Sequence, residues 1–181
     1  MIAARATMQE AFERAKEIKL LALDVDGVLT DGRIYISDKG EECKAYNIRD
    51  GLGMKLLQEC GIKIALISGR NSPSAQARAQ DIGIALLYQG VDDKVAVFES
   101  LMREFELQPQ QTAFMGDDLV DLPAMRRAGF ALTVADAPPV VKERAHFVTR
   151  SVGGHGAVRE ACEFIMQAQG TLDSCMSRYL A

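Results

Sequence analysis

The sequence predicts an α/β protein: a Rossmann-like open parallel sheet with helices on both faces and a short β-hairpin flap beside it. Three observations predict this fold class. Short, continuous apolar runs alternate with segments of helical spacing, acidic or small polar residues follow several of the runs, and one stretch after the first run has the composition of a hairpin. Such runs suit strands that are buried on both faces, as in a parallel sheet between helix layers.

The predicted strands share a short length and an almost wholly apolar composition. The first is the run IKLLALDV, which ends in acidic residues. Later runs of the same kind are IKIALIS (62–68), IALLY (84–88), TAFMG (112–116), FALTV (130–134) and, more weakly, HFVT (146–149). Strands joined through helical crossovers run parallel, so we expect all of them to end at one edge of the sheet.

Helical segments are predicted between these strands. Thr7 and Glu10 have the spacing of a capping box, which predicts a short helix before the first strand. The segment GMKLLQEC is expected to end at Gly61, and Ser72, followed by proline, should begin a helix that ends near Gly83. Further helices are expected in VDDKVAVFESLMREF (91–105), at 122–128 and after Asp136.

The stretch between Asp31 and Asp50 breaks this alternation. IYIS (34–37) and CKAYN (43–47) flank a polar turn, which predicts a hairpin at about residues 33–47. A hairpin at this point should project from the carboxyl edge of the sheet, where ligands bind in folds of this class. We interpret residues 1–181 as one domain with a short tail from about residue 170 to 181.

Composition disfavours several classes of function. The chain has 181 residues, 48% of them hydrophobic and 25% charged, which is typical of a globular domain. Its net charge of −4 disfavours nucleic-acid binding. No apolar run approaches the roughly 20 residues of a membrane span, and the mixed N-terminus lacks a signal core, so a cytoplasmic protein is expected. The four cysteines, which lack C-x-x-C spacing and are expected to be free thiols, are Cys43, Cys60, Cys162 and Cys175.

Acidic residues follow two of the predicted strands. Asp24 and Asp26 lie at the end of the first strand, and Asp117, Asp118 and Asp121 follow the run TAFM. Since parallel strands end at one edge, the two groups should face each other, and like charges at short range are costly. A divalent cation would offset that cost, and oxygen ligands suit Mg²⁺. The alternative is an acidic turn and a solvated helix N-terminus, which explains each group alone but not their pairing.

Two further polar groups have positions that suit a phosphate site. Ser68 and Gly69 end the second apolar run, where a hydroxyl and backbone N–H groups can hold a phosphate oxygen. Serine before glycine is also a common strand terminator. Lys94 opens a predicted helix, where a lysine is mildly unfavourable to the helix dipole unless its ammonium reaches carboxylates or a phosphate. A lone lysine is otherwise most often a surface residue.

In this order the motifs resemble those of haloacid dehalogenase-type phosphatases. D-V-D-G-V-L-T-D, I-S-G-R, a lysine and G-D-D-x-x-D each follow a predicted strand. The resemblance implies that Asp24 is the nucleophile and that Asp26 is the general acid and base. It also implies that Ser68 and Lys94 hold the phosphate.

The same resemblance implies a magnesium site. Its ligands would be Asp24, the backbone carbonyl of Asp26, and Asp117. Asp118 and Asp121 would then act on the metal through other groups or through water.

Finer features narrow the resemblance. D-G-V-L-T-D-G, the hairpin, N-I-R-D-G-x-G and G-G-x-G-A-V-R-E (153–160) are similar to the 3-deoxy-D-manno-octulosonate 8-phosphate phosphatases, enzymes of lipopolysaccharide precursor synthesis. This implies a sugar-acid phosphate as substrate, a flap in place of a cap domain, and a homotetramer whose neighbouring subunits help to close each site. A related nonulosonate 9-phosphate is the alternative substrate.

Positive side chains are candidates to bind the substrate carboxylate. They are Lys44, Arg49 and Arg70, with Gly69 beside the phosphate. For each cation, a solvated surface charge is the alternative interpretation.

Two alternatives from other classes explain part of the pattern. A receiver domain also gathers acids, a hydroxyl and a lysine around an aspartate, but its lysine comes last, whereas Lys94 precedes Asp117. A catalytically silent assembly domain would not need both Asp24 and Asp26. Turnover of p-nitrophenyl phosphate with Mg²⁺ discriminates the enzyme from both.

Overall fold

The structure is a computed structural model that describes residues 6–180. Its strands are β1 (Leu20–Leu23), β2 (Tyr35–Ile36), β3 (Glu42–Cys43), β4 (Lys63–Ile67), β5 (Leu86–Tyr88), β6 (Thr112–Met115), β7 (Phe130–Thr133) and β8 (Phe147–Val148). Six of them form one parallel sheet in the order β5-β4-β1-β6-β7-β8, and β2 pairs with β3 as a separate antiparallel ladder. The predicted parallel sheet is confirmed.

Helices connect the strands and cover both faces of the sheet. They are α1 (Met8–Ala15), α2 (Ile48–Glu59), α3 (Pro73–Ile82), α4 (Lys94–Glu104), α5 (Leu122–Arg127), α6 (Pro139–Lys142), α7 (Ala157–Ala168) and α8 (Leu172–Leu180). Helix α2 packs against α3 and α7, and α7 against α1, while α4 packs against α5. Within residues 6–180 no helix has the length and apolar character that crossing a membrane requires.

Strand β1 is the centre of the fold. All four of its residues are buried, and it pairs in parallel with β4 on one side and with β6 on the other. The chain moves outward from β1 to β4 and β5, then returns to the opposite side of β1 for β6 and β7. This reversal of strand order creates a crevice at the carboxyl ends of β1 and β6, the place where open α/β sheets bind ligands.

Several predicted helix boundaries are confirmed. Thr7 and Glu10 form the capping box at the start of α1. Ser72 is the N-cap of α3, and Gly83 ends that helix at φ +81°. Gly61, at φ +86°, follows the end of α2.

Helix α2 begins earlier than predicted, at Ile48 and not at Gly53. The side chain of Asn47 accepts a hydrogen bond from the backbone N–H of Arg49 at 2.8 Å and caps the first turn. An asparagine N-cap therefore extends the helix through a segment whose apolar spacing is weak.

Helix α7 was not predicted from the sequence, although it is amphipathic. Its buried residues recur at three- and four-residue spacing and include Val158, Ala161, Ile165 and Met166. The buried carboxylate of Asp50, on α2, accepts hydrogen bonds from backbone N–H groups at the start of α7. This contact joins the two helices that pack most closely in the structure.

The expectation of four free thiols is wrong for two of the cysteines. Cys60 and Cys175 form a disulfide across 115 residues, whereas Cys43 and Cys162 are free. The pairing arises because the segment after Gly170 folds back as α8 beside the end of α2, where Arg178 bonds the carboxylate of Glu59 at 2.8 Å. The spacing of cysteines along the chain does not reveal such a return.

Candidate active site

The carboxyl ends of β1, β4 and β6 surround an open cleft of about 360 Å³. Its lining contains most of the residues that the sequence motifs single out: Asp24, Asp26, Ser68, Gly69, Arg70, Lys94, Asp117 and Asp118. The backbone N–H of Asp24 donates to the carbonyl of Met115 at 2.9 Å, which ties the end of β1 to the end of β6. The cleft therefore lies at the predicted edge of the sheet.

Lys94 joins the acidic groups of the two strands. Its Nζ atom lies 2.7 Å from Oδ1 of Asp24 and 2.7 Å from Oδ1 of Asp121, and all three side chains are buried. Lys94 begins α4, and the carboxylate of Asp93 caps that helix. The helix N-terminus thus directs the ammonium into the cleft, as its unfavourable position in the helix suggested.

Asp121 bonds both the acidic loop and Lys94. Its Oδ2 atom accepts hydrogen bonds from the backbone N–H groups of Asp117 at 3.0 Å and Asp118 at 3.3 Å, while its Oδ1 atom contacts Lys94. A β-carbon on Gly116 would lie 2.3 Å from the β-carbon of Asp121, so the glycine makes room for this side chain. Asp121 therefore shapes the acidic loop and also fixes the lysine.

Burial and mutual repulsion disfavour the charge of the carboxylates. Burial raises the pKa of Asp24 to about 6, with a further rise from Asp121 and an opposing effect of Lys94. Burial also raises the pKa of Asp117 to about 8, helped by the charges of Asp24 and Asp121. Burial alone would lower the pKa of Lys94, but Asp24 and Asp121 outweigh it and the net change is upward. The single positive charge of Lys94 does not neutralise the three carboxylates of Asp24, Asp117 and Asp121.

The donor set fits a hard divalent cation. Asp24, Asp117 and Asp121 each offer a carboxylate oxygen, and these oxygens lie within 4.8 Å of one another. The side chain of Asp26 is not part of this group. A few carboxylates at an open edge are the protein ligands that Mg²⁺ uses together with water and substrate phosphate.

The carboxylate of Asp26 turns instead toward the flap. Nζ of Lys44 donates to its two oxygens at 2.6 and 2.9 Å. Glu42, two residues before Lys44 and on the same face of the hairpin, contacts Lys44 at 3.3 Å and Arg70 at 2.7 Å. Glu42 was missed from the sequence, although its alternation with Lys44 in a predicted strand was the pattern that could have revealed it.

The remaining predicted residues differ in position. Ser68 is buried, and its hydroxyl accepts a hydrogen bond from the backbone N–H of Arg70 at 3.2 Å. Asp118 is exposed and bonds the N–H of Leu119, so it caps a short 3₁₀ turn. Arg49 does not line this cleft; it is exposed on α2 and lines a separate cavity beside Arg159.

The loop before α7 packs against the loop that follows β1. A β-carbon on Gly153 would lie 1.8 Å from the carbonyl oxygen of Gly27, and the N–H of Gly154 donates to the carbonyl of Val28 at 3.0 Å. The side chain of Thr30 accepts hydrogen bonds from two backbone N–H groups of the same loop. The two glycines permit this contact between backbones.

Fold and site together define a haloacid dehalogenase-like hydrolase, and the family model of that description matches residues 41–129. Two 3-deoxy-D-manno-octulosonate 8-phosphate phosphatases, from Yersinia pestis and Escherichia coli K12, are 46% and 44% identical over 91% of this chain. The matches cover 88% and 87% of those proteins. The chain belongs to this family of phosphatases.

Solved structures agree with the sequence relatives. The enzyme of that name from Moraxella catarrhalis, in complex with magnesium ion, phosphate ion and KDO, is 40% identical with a TM-score of 0.93, and the match covers 96% of this chain and 99% of that one. The Yersinia pestis enzyme gives a TM-score of 0.89 at 46% identity, over 91% of this chain and 89% of its own. The similarity thus extends over nearly the whole chain.

Proposed function

We propose that this protein is a magnesium-dependent phosphatase that hydrolyses 3-deoxy-D-manno-octulosonate 8-phosphate to the free sugar acid and phosphate, a step in lipopolysaccharide precursor synthesis. One observation supports the proposal above all others. Buried Lys94 bridges Asp24, which follows β1, and Asp121, which lies in the loop after β6. The chain is also 44–46% identical to enzymes of this activity.

The nucleophile of this reaction is Asp24. It attacks the phosphorus in line and forms an aspartyl-phosphate, while the bond to the sugar oxygen breaks. Lys94 contacts Asp24 at 2.7 Å and lies in the cleft, where its charge faces both the nucleophile and the phosphoryl group. The hydroxyl of Ser68 and the backbone N–H of Gly69 bind phosphate oxygens, while the N–H of Arg70 orients the hydroxyl.

Asp26 transfers the protons. Its carboxyl gives a proton to the departing sugar oxygen, and the resulting carboxylate then takes a proton from the water that attacks the aspartyl-phosphate. Its side chain bonds Lys44 and is not part of the donor group of Asp24, Asp117 and Asp121, which leaves it available for proton transfer.

Asp24 and Asp117 would hold Mg²⁺ together with the backbone carbonyl of Asp26, while the oxygens of Asp121 stay with Lys94 and the backbone of the acidic loop. When bound, magnesium neutralises charge on the carboxylates and on the phosphoryl group. Asp121 keeps the loop of Asp117 in place through backbone hydrogen bonds, which fixes the position of the metal ligand before substrate enters.

A substrate screen tests the proposal. The purified protein with Mg²⁺ is assayed against 3-deoxy-D-manno-octulosonate 8-phosphate, a nonulosonate 9-phosphate, simple sugar phosphates and p-nitrophenyl phosphate. We expect the highest kcat/KM for the octulosonate. A higher value for the nonulosonate would favour the alternative substrate, and no turnover of any of them would contradict phosphatase activity.

We further propose a cytoplasmic homotetramer in which flap residues of one subunit border the site of another. The flap has only two-residue strands, and a two-stranded hairpin alone is marginal in water. It nevertheless exposes 51% of Tyr35 and 69% of Ile36, beside Ile48 at 81%. Such a patch favours a protein interface. Light scattering is expected to give a tetramer, and a fully active monomer at assay concentration would contradict this assembly.

The tail is part of the same proposal. Residues 172–180 form an amphipathic helix with Tyr179 and Leu180 exposed, a surface suited to a neighbouring subunit. Deletion after Gly170 should lower activity on the sugar-acid phosphate more than on p-nitrophenyl phosphate, because only the larger substrate reaches such a contact. Equal loss on both substrates would assign the tail to stability alone.

A further inference from the structure

The general acid and base of this site is held by a cation that the reaction described above does not use. Nζ of Lys44 donates to both oxygens of Asp26, at 2.6 and 2.9 Å, and the Lys44 side chain has no exposed surface. Both oxygens of Asp26 accept from Lys44, so a leaving-group oxygen that is to share a proton with this carboxylate competes with the ammonium. Withdrawal of Lys44 from Asp26 would remove that competition.

The contacts of Lys44 indicate how this can happen. Besides Asp26, it contacts Oε1 of Glu42 at 3.3 Å. That oxygen is buried, and within residues 6–180 it has a charge contact with Lys44 but no hydrogen bond of good geometry. Lys44 can therefore leave Asp26, turn about Glu42 and remain paired. Its four-carbon stem and three donor hydrogens allow such a shift of a few ångströms.

Arg70 forms an ion pair with Glu42 and lines the cleft. It bonds the second oxygen of Glu42 at 2.7 Å and exposes 49% of its side chain. Arg70 thus links the Lys44–Glu42 pair, which does not itself line the cleft, to a cation that does. Burial of Lys44 strengthens its attraction to any carboxylate that comes within reach.

We propose that Lys44 selects sugar acids by an exchange of partners. In the free enzyme it holds Asp26, and in the substrate complex it binds the substrate carboxylate, which leaves Asp26 to face the leaving oxygen. Phosphate esters without a carboxylate leave Lys44 on Asp26 and are turned over slowly. This inference rests on the proposed function, because it needs a substrate that carries both a phosphate and a carboxylate.

The test uses a matched pair of substrates: 3-deoxy-D-manno-octulosonate 8-phosphate and its analogue with the carboxylate reduced to an alcohol. The wild type should prefer the acid. In Lys44→Met, kcat/KM for the acid should fall roughly 100-fold, since one partner of a buried charge pair is lost. For the alcohol, kcat/KM should rise several-fold, because Asp26 is released. Lys44→Arg should keep part of the preference for the acid.

Lys39→Met is the control, because Lys39 is exposed in the turn of the same hairpin and should change neither value. Equal loss on both substrates in Lys44→Met, with Lys44→Arg equally poor on both, would assign Lys44 to support of the flap and overturn the inference. Unchanged kinetics of Lys44→Met would overturn it as well. If the wild type hydrolyses other phosphates but not the octulosonate, the proposed substrate is wrong. The role of Lys44 is then tested with other phosphate esters that carry a carboxylate: a loss in Lys44→Met that is limited to these esters would still support it.

Discussion

The carboxylate of Asp117 lies against the backbone of Gly27. A β-carbon on Gly27 would be 2.0 Å from Oδ2 of Asp117, and the glycine has φ +88°. No other residue combines that backbone conformation with so little volume. The loop after β1 and the loop after β6 therefore meet closely enough to place their carboxylates in one cluster.

Gly27→Ala should damage the metal site. The added methyl group must displace Asp117, so we expect at least about tenfold weaker Mg²⁺ binding and a similar loss of kcat/KM, in line with loss of support for a metal ligand. Mg²⁺ titration of activity and calorimetry measure the two effects. Gly40→Ala is the matched control: Gly40 has φ +79°, but a β-carbon there meets nothing within 4 Å. If both variants bind Mg²⁺ equally well, the contact with Asp117 has no role in the site.

Substitutions of Asp26 and of Asp117 should have different effects on the magnesium dependence of activity. Asp117→Asn removes a ligand charge, so the Mg²⁺ concentration for half-maximal activity should rise by about 10-fold or more. Asp26→Asn should leave that concentration nearly unchanged and lower kcat by roughly 10²–10⁴-fold, the usual contribution of a positioned acid and base. A large shift in metal dependence for Asp26→Asn, with none for Asp117→Asn, would reverse the two assignments.

Proton competition should make metal binding depend on pH. The pKa of Asp117 is about 8 and that of Asp24 about 6, both above the usual range, because burial and neighbouring acids disfavour their charge. Mg²⁺ requires the ionised forms, so its affinity should increase from pH ~6 to pH ~8 by up to about tenfold per unit for each proton released. Calorimetric titrations across this range measure the slope. Asp117→Asn should flatten its upper part, and an identical slope in this variant would contradict the assignment.

The free energy of unfolding of the metal-free protein should also depend on Asp24 and Asp117, but it should fall as pH rises, whereas Mg²⁺ affinity rises. A folded-state pKa that is raised means that the folded protein holds a proton which the unfolded chain releases. The stability linked to Asp24 and Asp117 is then present at low pH and lost as pH rises through about 6 and about 8. Thermal unfolding with a chelator should show this decline, and Mg²⁺ should reverse it. A melting temperature that stays constant between about pH 4 and about pH 8 would contradict the raised pKa values of Asp24 and Asp117.

Much of the fold followed from local patterns. The apolar runs identified the strands because a parallel strand is buried on both faces, and the acids at their ends identified the edge where the cleft lies. The candidate catalytic residues Asp24, Asp26, Ser68 and Lys94 line that cleft, as predicted, because the topology brings the strand ends together. Their catalytic roles remain predictions.

Other features depend on contacts between distant segments, which local patterns do not contain. Asp121 was expected to act on the metal through other groups or through water, but the sequence did not show that Gly116 makes room for its side chain under its own loop, where it bonds Lys94. Arg49 was grouped with the substrate-binding cations, yet the asparagine cap of α2 places it outside the cleft. The Cys60–Cys175 pair likewise depends on the return of α8 toward α2.

The most direct test is to locate the phosphoryl group on the enzyme during turnover. Asp26→Asn, mixed with Mg²⁺ and 3-deoxy-D-manno-octulosonate 8-phosphate, is quenched in acid within the first turnover and analysed by peptide mass spectrometry. This variant lacks the acid of the first step and the base of the second, so phosphoryl transfer is slower, but we predict that the phosphoryl group it receives stays on Asp24 and that the double variant with Asp24→Asn carries none. A phosphoryl group on another residue, or release of phosphate by the folded Asp24→Asn enzyme at the wild-type rate, would contradict the account.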